Sequence, residues 1–452
     1  MSEINSSNFL YHIFPLGACG APESNDFSSP PQPRLRRIHG WLDHIQALGA
    51  DTLFLGPVFE SGSHGYDTAN YYEVDRRLGT REDLAALGRD LRGRGMRLVL
   101  DGVFNHTGRE FWAFRDLRAH GPASAYQNWY SGVRFDQRSP MGDSFSYDAW
   151  NGHFSLPKLN LENPAVREHL FGAVRLWVDE FGIDGIRLDA ADALSFDFMR
   201  ALRAFSGQIK PDLWLMGEVI HGDYRQWANA ETLHSTTNYE LYKGLHSAHN
   251  EHNYFELAYS LNRQFGAQGI YQHLQLNSFA DNHDVTRIAS QLREPAGLYP
   301  LHAVLFCAPG IPSIYYGSEF GIHGVKTRND WNLRPEFNPH ALAEDSPQPD
   351  LFGWIRRLAE IRKNSPALRW GGYAQRLVAA DQFGFSRHAK GEDMLVLLNN
   401  ANDLAEVSVP MPGFEGANFR DLLTPGEELR ADARGSLFAR LYPKSARILR
   451  RD

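Results

Sequence analysis

The sequence predicts an α/β fold: a (β/α)8 TIM barrel with an inserted subdomain after its third strand and a C-terminal antiparallel β-domain. Three observations predict it. Between about residue 9 and residue 320, short apolar β-rich runs alternate with amphipathic helical patterns, as in βα units around a parallel sheet. The stretch Thr107–Asn163 is too long for an ordinary βα connection and reads as an insertion on the face where barrel loops build active sites. From Ala374 onward short alternating runs appear, among them Met394–Leu398 and Leu404–Val409, punctuated by Gly, Pro and Asn; that is how antiparallel strands read.

Taken in order, the expected barrel strands are Phe9–Phe14, Thr52–Leu55, Arg97–Asp101, Gly185–Asp189, Leu213–Gly217, Thr236–Tyr239, Leu276–Phe279 and Ile311–Tyr316. Between them, Ile38–Leu48 spaces its apolar residues at the helical period. Arg81–Arg94 follows Thr80, a suitable N-cap. Ala165–Phe181 is opened by Asn163 as N-cap and Pro164 at the first helical position. A last barrel helix is expected at Leu351–Lys363. The domains expected are a barrel at 1–106 and 164–370, an insertion at 107–163 and a β-sandwich at 371–452.

Composition excludes several classes. A net charge of −8 opposes binding to nucleic acid or anionic membrane and leaves a neutral sugar unaffected. Cys19 and Cys307 are the only cysteines, too few for a disulfide framework or a zinc site, and read as buried thiols. No apolar run approaches the roughly 20 residues of a membrane span. The N-terminus lacks the basic and apolar regions of a signal peptide, so a cytoplasmic location is expected.

The chemistry sits at strand ends. Asp101, Asp189, Glu218 and Asp284 fall at or just past the C-terminal ends of expected strands, the positions that face a barrel's active site. Arg187 and Asp189 are two apart and point the same way. A buried Arg needs anionic partners, and Asp101 and Asp189 are the nearest. Cleavage of a glycosidic bond with retention needs a carboxylate nucleophile and a carboxylic acid about 5–5.5 Å away. Arg187 would keep Asp189 ionised. Glu218, with no base nearby in sequence until His221, suits the acid, whose pKa crowding should raise. Asp284 would hold the sugar and the positive charge of the transition state.

In this order and spacing, DGVFNH (Asp101–His106), GIRLDAADA (Gly185–Ala193), GEV (Gly217–Val219) and FADNHD (Phe279–Asp284) resemble the four conserved regions of the α-amylase superfamily, glycoside hydrolase family 13. LPKLN (Leu156–Asn160) resembles that family's fifth region, and HGYDTANYYEVD (His64–Asp75) the segment after its second strand. The resemblance implies that Asp189 is the nucleophile, Glu218 the general acid/base and Asp284 the transition-state stabiliser. It implies that Tyr66 stacks under the sugar, that His106, Arg187 and His283 bind its hydroxyls or orient the nucleophile, that Asp101 pins the arginine, and that Arg287 lies near the donor-side subsites.

LPKLN is similar to the cyclomaltodextrinase, neopullulanase and maltogenic amylase group. The implied reaction is hydrolysis of α-1,4-glucosidic bonds in small linear, cyclic or branched maltooligosaccharides by double displacement. That group usually carries an additional N-terminal β-domain that builds its dimer, whereas here the first barrel strand begins near residue 9, so no oligomeric state follows. Ile220 and Asp192 depart from the group on the acceptor side, which leaves linkage preference open. Asn105 matches a calcium-ligating residue of many relatives, but no Asp-rich loop accompanies it and calcium needs about 6–8 oxygen ligands; calcium is not favoured and no cofactor is expected.

The alternatives are an α-1,6-acting or small-ring cyclic maltosaccharide hydrolase or transglycosylase on the same site, and a non-catalytic carbohydrate-binding barrel, which should have lost one of the three carboxylates. A metal-dependent barrel hydrolase would need a His/Asp ligand set at strand ends. The run HSAHNEH (His246–His252) lacks zinc-site spacing and reads as a solvated helix face.

Overall fold

The computed structural model describes residues 7–389 and 391–452. Its main sheet contains strands β1 (Leu10–Ile13), β2 (Thr52–Leu55), β3 (Arg97–Gly102), β4 (Gly185–Leu188), β5 (Trp214–Gly217), β6 (Ser235–Thr236), β7 (Asn277–Phe279) and β8 (Ile311–Tyr315). They are parallel, in the order β6-β5-β4-β3-β2-β1-β8-β7. The two edges meet where Thr237 pairs with Asn277 and the Asn238 N–H donates to the Asn277 carbonyl at 2.8 Å. The sheet is thus a closed barrel.

Strand parity places the site. Leu10, Phe54, Val99, Trp214, Met216 and Ile311 pack together as a separate buried layer, the filling of the barrel interior. Their neighbours Tyr11, Leu53, Leu98, Leu100, Ile186 and Leu215 join the larger core under the helices. Because side chains alternate, the next inward positions after the apolar layer are His12, Asp101 and Glu218, with Arg187 and Asp189 in step on β4. Apolar residues therefore plug the barrel and polar ones crowd its C-terminal mouth. Register aligns Asp101 with Arg187, and Arg187 with Met216.

Two expected helices differ in detail. Ile38–Leu48 is broken into Arg36–His39 and Leu42–Leu48, since Gly40 and Trp41 turn the chain between them. Pro164–Leu176 is α-helical with Asn163 capping the Ala165 N–H, but Trp177–Phe181 widens into a π turn before Gly182 at φ 65°. The Thr80 cap is a full capping box with Asp83.

Within 107–163, a helix at Trp112–His120 and a hairpin of Ala149–Trp150 with His153–Pro157 surround an aromatic core in which Phe114 meets Tyr130, Phe145 and Tyr147. Trp112 remains 38% exposed, and Trp150 reaches the ring of His106 at 5.7 Å. Leu159 N–H donates to the Asn105 carbonyl at 3.0 Å, which ties this segment to the exit of β3.

The C-terminal strands Gly372–Val378, Gln382–Ala389, Glu392–Asn399, Ser445–Arg451, Asn418–Asp421 and Glu428–Arg430 form one antiparallel sheet, and Ala405–Pro410 pairs with Ser436–Leu441. Leu395 and Leu397 face the second sheet, whereas Val396 and Leu398 join the barrel's core. Cys19 and Cys307 are buried and form no disulfide; burial pushes both thiols to about 12. No helix among the described residues is long and apolar enough to cross a membrane.

HSAHNEH departs from the solvated face expected. The helix ends at Asn250. His249 is buried, with Nδ1 on the Leu245 carbonyl at 2.6 Å and Nε2 on the Tyr254 hydroxyl at 3.1 Å. His252 leaves the helix at φ 49° and bonds Asp381 at 2.6 Å. The segment caps the junction with the C-terminal domain because that domain covers it.

Candidate active site

Arg187 organises the mouth of the barrel. Its Nη1 donates to Asp101 Oδ1 at 2.8 Å and to Asp189 Oδ1 at 3.0 Å, while Nη2 lies 2.9 Å from Glu218 Oε2. One planar guanidinium therefore fixes three carboxyls contributed by three adjacent strands. Glu218 Oε2 also accepts the Ala190 N–H at 3.0 Å, so Oε1 is the oxygen left for a substrate. Asp101 is fully enclosed, but the Asp189 and Glu218 side chains keep 11% and 12% of their surface and Asp284 keeps 30%. Those three are the carboxyls a ligand can touch.

Ala190 makes that arrangement at a cost. It sits at φ 45°, ψ 47°, a left-handed conformation that costs a non-glycine residue roughly 1–2 kcal/mol. The turn is what aims its N–H at Glu218. Ala190→Gly should raise stability by up to about 1 kcal/mol, seen as a higher Tm in calorimetry, with no gain in kcat.

On the far side, His283 Nε2 lies 2.9 Å from Asp284 Oδ2 and also meets the Tyr66 hydroxyl, which donates to Asp101 Oδ2 at 3.0 Å. The Tyr66 and His283 rings stack at 5.4 Å. His106 Nε2 is 4.0 Å from Asp189 Oδ2 and is buried without a protein hydrogen-bond partner. It lies in the loop after β3, where an isolated bridge to Lys158 ties it to the insertion.

Burial pushes the Glu218 carboxyl up, and Asp284 adds to the rise against the opposition of Arg187. Burial likewise pushes Asp189 up, with Arg187 opposing and Glu218, Asp101 and Asp284 reinforcing. The sequence expectation that Arg187 keeps Asp189 ionised omits those neighbours: one guanidinium is divided among three acids, and burial raises both Asp189 and Glu218 against it. Asp284 is the opposite case. Burial raises it, but His283, Arg334 and Arg187 together outweigh burial and hold it below the usual carboxylate range.

Two placements correct or extend the sequence reading. Arg287, expected near the donor-side subsites, has no exposed surface. It donates to the carbonyls of Tyr316 at 2.6 Å and Leu333 at 2.8 Å and lies over the Tyr315 ring at 4.1 Å. It pins the loop after β8 and cannot touch a sugar. Arg334, which no motif marks, takes the nearer place: its Nη2 bonds Asp284 Oδ1 at 3.0 Å and its Nε bonds the His283 carbonyl at 3.1 Å, with Phe14 beneath it at 4.3 Å. The only sequence signal is a cation in a loop that leaves a barrel strand's C-terminal end. Arg334→Met should lower kcat/KM roughly tenfold to a hundredfold and move the acid limb of the pH profile upward, because Asp284 loses a cation that keeps it ionised; Arg334→Lys should recover the limb better than the rate.

Asn105 Oδ1 is buried with no protein donor, which is how a cation ligand could look. Among the described residues, no three His, Cys, Asp or Glu side chains gather around it.

A barrel whose mouth gathers three accessible carboxyls, two of them held by one buried arginine, is the architecture of a glycoside hydrolase. The chain belongs to the α-amylase family: the alpha amylase catalytic domain matches residues 34–350. It is 31% identical to a cyclomaltodextrinase of Geobacillus thermopakistaniensis over 88% of this chain and 67% of that one. It is 30% identical to neopullulanase 2 of Thermoactinomyces vulgaris over 97% of this chain and 77% of that one. Among solved structures, the cyclic alpha-maltosyl-(1→6)-maltose hydrolase of Arthrobacter globiformis superposes with a TM-score of 0.83 at 27% identity, covering 99% of both chains. A cyclomaltodextrinase superposes with a TM-score of 0.85 at 25% identity, covering 99% of this chain and 78% of the other.

Proposed function

We propose that this enzyme cleaves α-1,4-glucosidic bonds of small linear, cyclic or branched maltooligosaccharides with retention of configuration. The observation that carries the reading is the Arg187 fork, which holds Asp189 and Glu218 on adjacent nitrogens. Two carboxyls on one guanidinium favour the short separation of about 5–5.5 Å that a retaining pair needs over the wider one of an inverting pair. Asp189 attacks the anomeric carbon as the bond to the leaving oxygen breaks, and Glu218 gives its proton to that oxygen from Oε1. In the second half, Glu218 takes a proton from water, whose oxygen displaces Asp189. A sugar hydroxyl in place of water gives transglycosylation. Asp284, ionised, stabilises the oxocarbenium charge and anchors sugar hydroxyls together with His283. Tyr66 lies under the ring, and His106 Nε2 bonds a hydroxyl. Two carboxyls and water balance the reaction, so it needs no cofactor.

A second reading, action on α-1,6-containing or small cyclic maltosaccharides, is favoured by the two-way 99% coverage with the Arthrobacter hydrolase. A cytoplasmic location is supported by the likeness to an intracellular maltogenic amylase of Bacillus subtilis, 29% identical over 86% of this chain. The test is a panel of linear, cyclic, α-1,6-branched and polymeric glucans, with products read by chromatography and their first-formed anomers by NMR. Short α-linked substrates should be cleaved fastest and release α-anomers. β-Anomers would refute retention, and preference for long polymer would refute the substrate class.

A further inference from the structure

We propose that one internal water bridges His12 and His283 beneath the carboxyls and holds the His283 ring, and through it Asp284, in working orientation. His12 follows Leu10 on the inward face of β1, so strand parity sends it into the barrel just above the apolar layer. Its ring meets that of His283 edge-on at 5.1 Å. Both side chains are at least nine-tenths buried, at 4% and 1% exposed, and His12 Nε2 and His283 Nδ1 each lack a hydrogen-bond partner. A recess of about 20 Å³, open toward the barrel mouth, is lined by both residues together with Arg187, Thr237, Asn277, Asn282 and Ser313. A water needs roughly 10–15 Å³ and two to four polar partners.

The consequence lies on the other nitrogen. His283 Nε2 serves Asp284 and Tyr66, and the bond made by one imidazole nitrogen sets the tautomer and orientation that the other presents. Burial holds His12 well below its usual range, so its neutral ring offers the water either an N–H or a lone pair. His12 is thus a positioning residue acting through the water.

This inference rests on the proposed role of His283 and Asp284, but the water is observable without activity. A high-resolution crystal structure of the full chain should show one ordered water within hydrogen-bonding distance of both nitrogens. H12F should lower kcat roughly tenfold with KM nearly unchanged and shift the His283 Nδ1 resonance in ¹⁵N NMR; H12Q, which can still reach the water, should keep most of the rate and the native resonance. A dry cavity, or a water reaching only one ring, would overturn the proposal. So would equal losses in H12F and H12Q with His283 resonances unmoved. A bridging water in a chain inert toward every glucan would uphold the site and overturn the catalytic reading alone.

Discussion

Replacing Asp189 by Asn should lower kcat by roughly 10⁴-fold or more, with the fold intact. Asn has the same shape and keeps an oxygen for Arg187 Nη1, now 3.0 Å from Asp189 Oδ1, but an amide oxygen is a poor nucleophile toward the anomeric carbon. The comparison that gives this result meaning is Glu218→Gln. That variant should lose activity only on substrates whose leaving oxygen needs a proton. It should keep a near-normal first step on a glucosyl fluoride, because fluoride departs unaided. The two variants therefore separate nucleophile from acid by substrate, and equal losses on both substrates would contradict the assignment. Each should be checked by circular dichroism, since each alters a buried group.

The second large effect is on stability. Arg187→Met should destabilise the protein by about 3–5 kcal/mol near neutral pH. The side chain is 4% exposed, and its loss leaves Asp101, Asp189 and Glu218 facing one another with no cation among them. Burial opposes the charge of Arg187 itself, but Asp101, Glu218 and Asp189 outweigh it and keep the guanidinium protonated. The sign of the pH dependence follows. Removing the cation raises the folded-state pKa of Asp189 and Glu218 further above their unfolded values, because Arg187 is what opposes burial at both. The penalty is therefore fully present only above the raised folded-state pKa values and is lost as pH falls toward the unfolded ones, where the carboxyls are protonated in both states. Urea unfolding of both proteins from about pH 4.5, just above the ordinary carboxylate pKa values, to about pH 8 should show the gap widening toward the higher pH. A constant gap would mean that Arg187 matters for packing alone.

Much of this was legible in the sequence because barrel strands are short and their parity is strict. Each expected strand overlaps an observed one, and inward positions alternate apolar then charged, so Asp189, Glu218 and Asp284 were found from strand ends. Tyr66, His106 and His283 were found only by resemblance, since a lone ring in a loop has no periodicity to place it. Arg287 shows the limit of spacing: three residues past Asp284 the chain has already turned, and its N–H bonds the Gly324 carbonyl at 2.8 Å while its side chain lies behind Tyr315 and Tyr316. Arg334 shows the converse. Its ion pair with Asp284 joins loops from two different strands, β7 and β8, and no local pattern encodes such a meeting. The raised state of Asp189 was also illegible, since it depends on how many acids share one arginine. Gly40 and Trp41, which break the expected helix, looked locally compatible with it.

The central claim is that Asp189 forms a covalent bond to the sugar while Glu218 supplies the proton. The most direct measurement uses a 5-fluoro-α-glucosyl fluoride, whose fluorine slows release of the intermediate, followed by proteolysis and mass spectrometry. The account predicts one glycosylated peptide, with the added mass on Asp189 and no adduct in Asp189→Asn. An adduct on Glu218 or Asp284, or turnover with no adduct and a β-anomeric product, would contradict it.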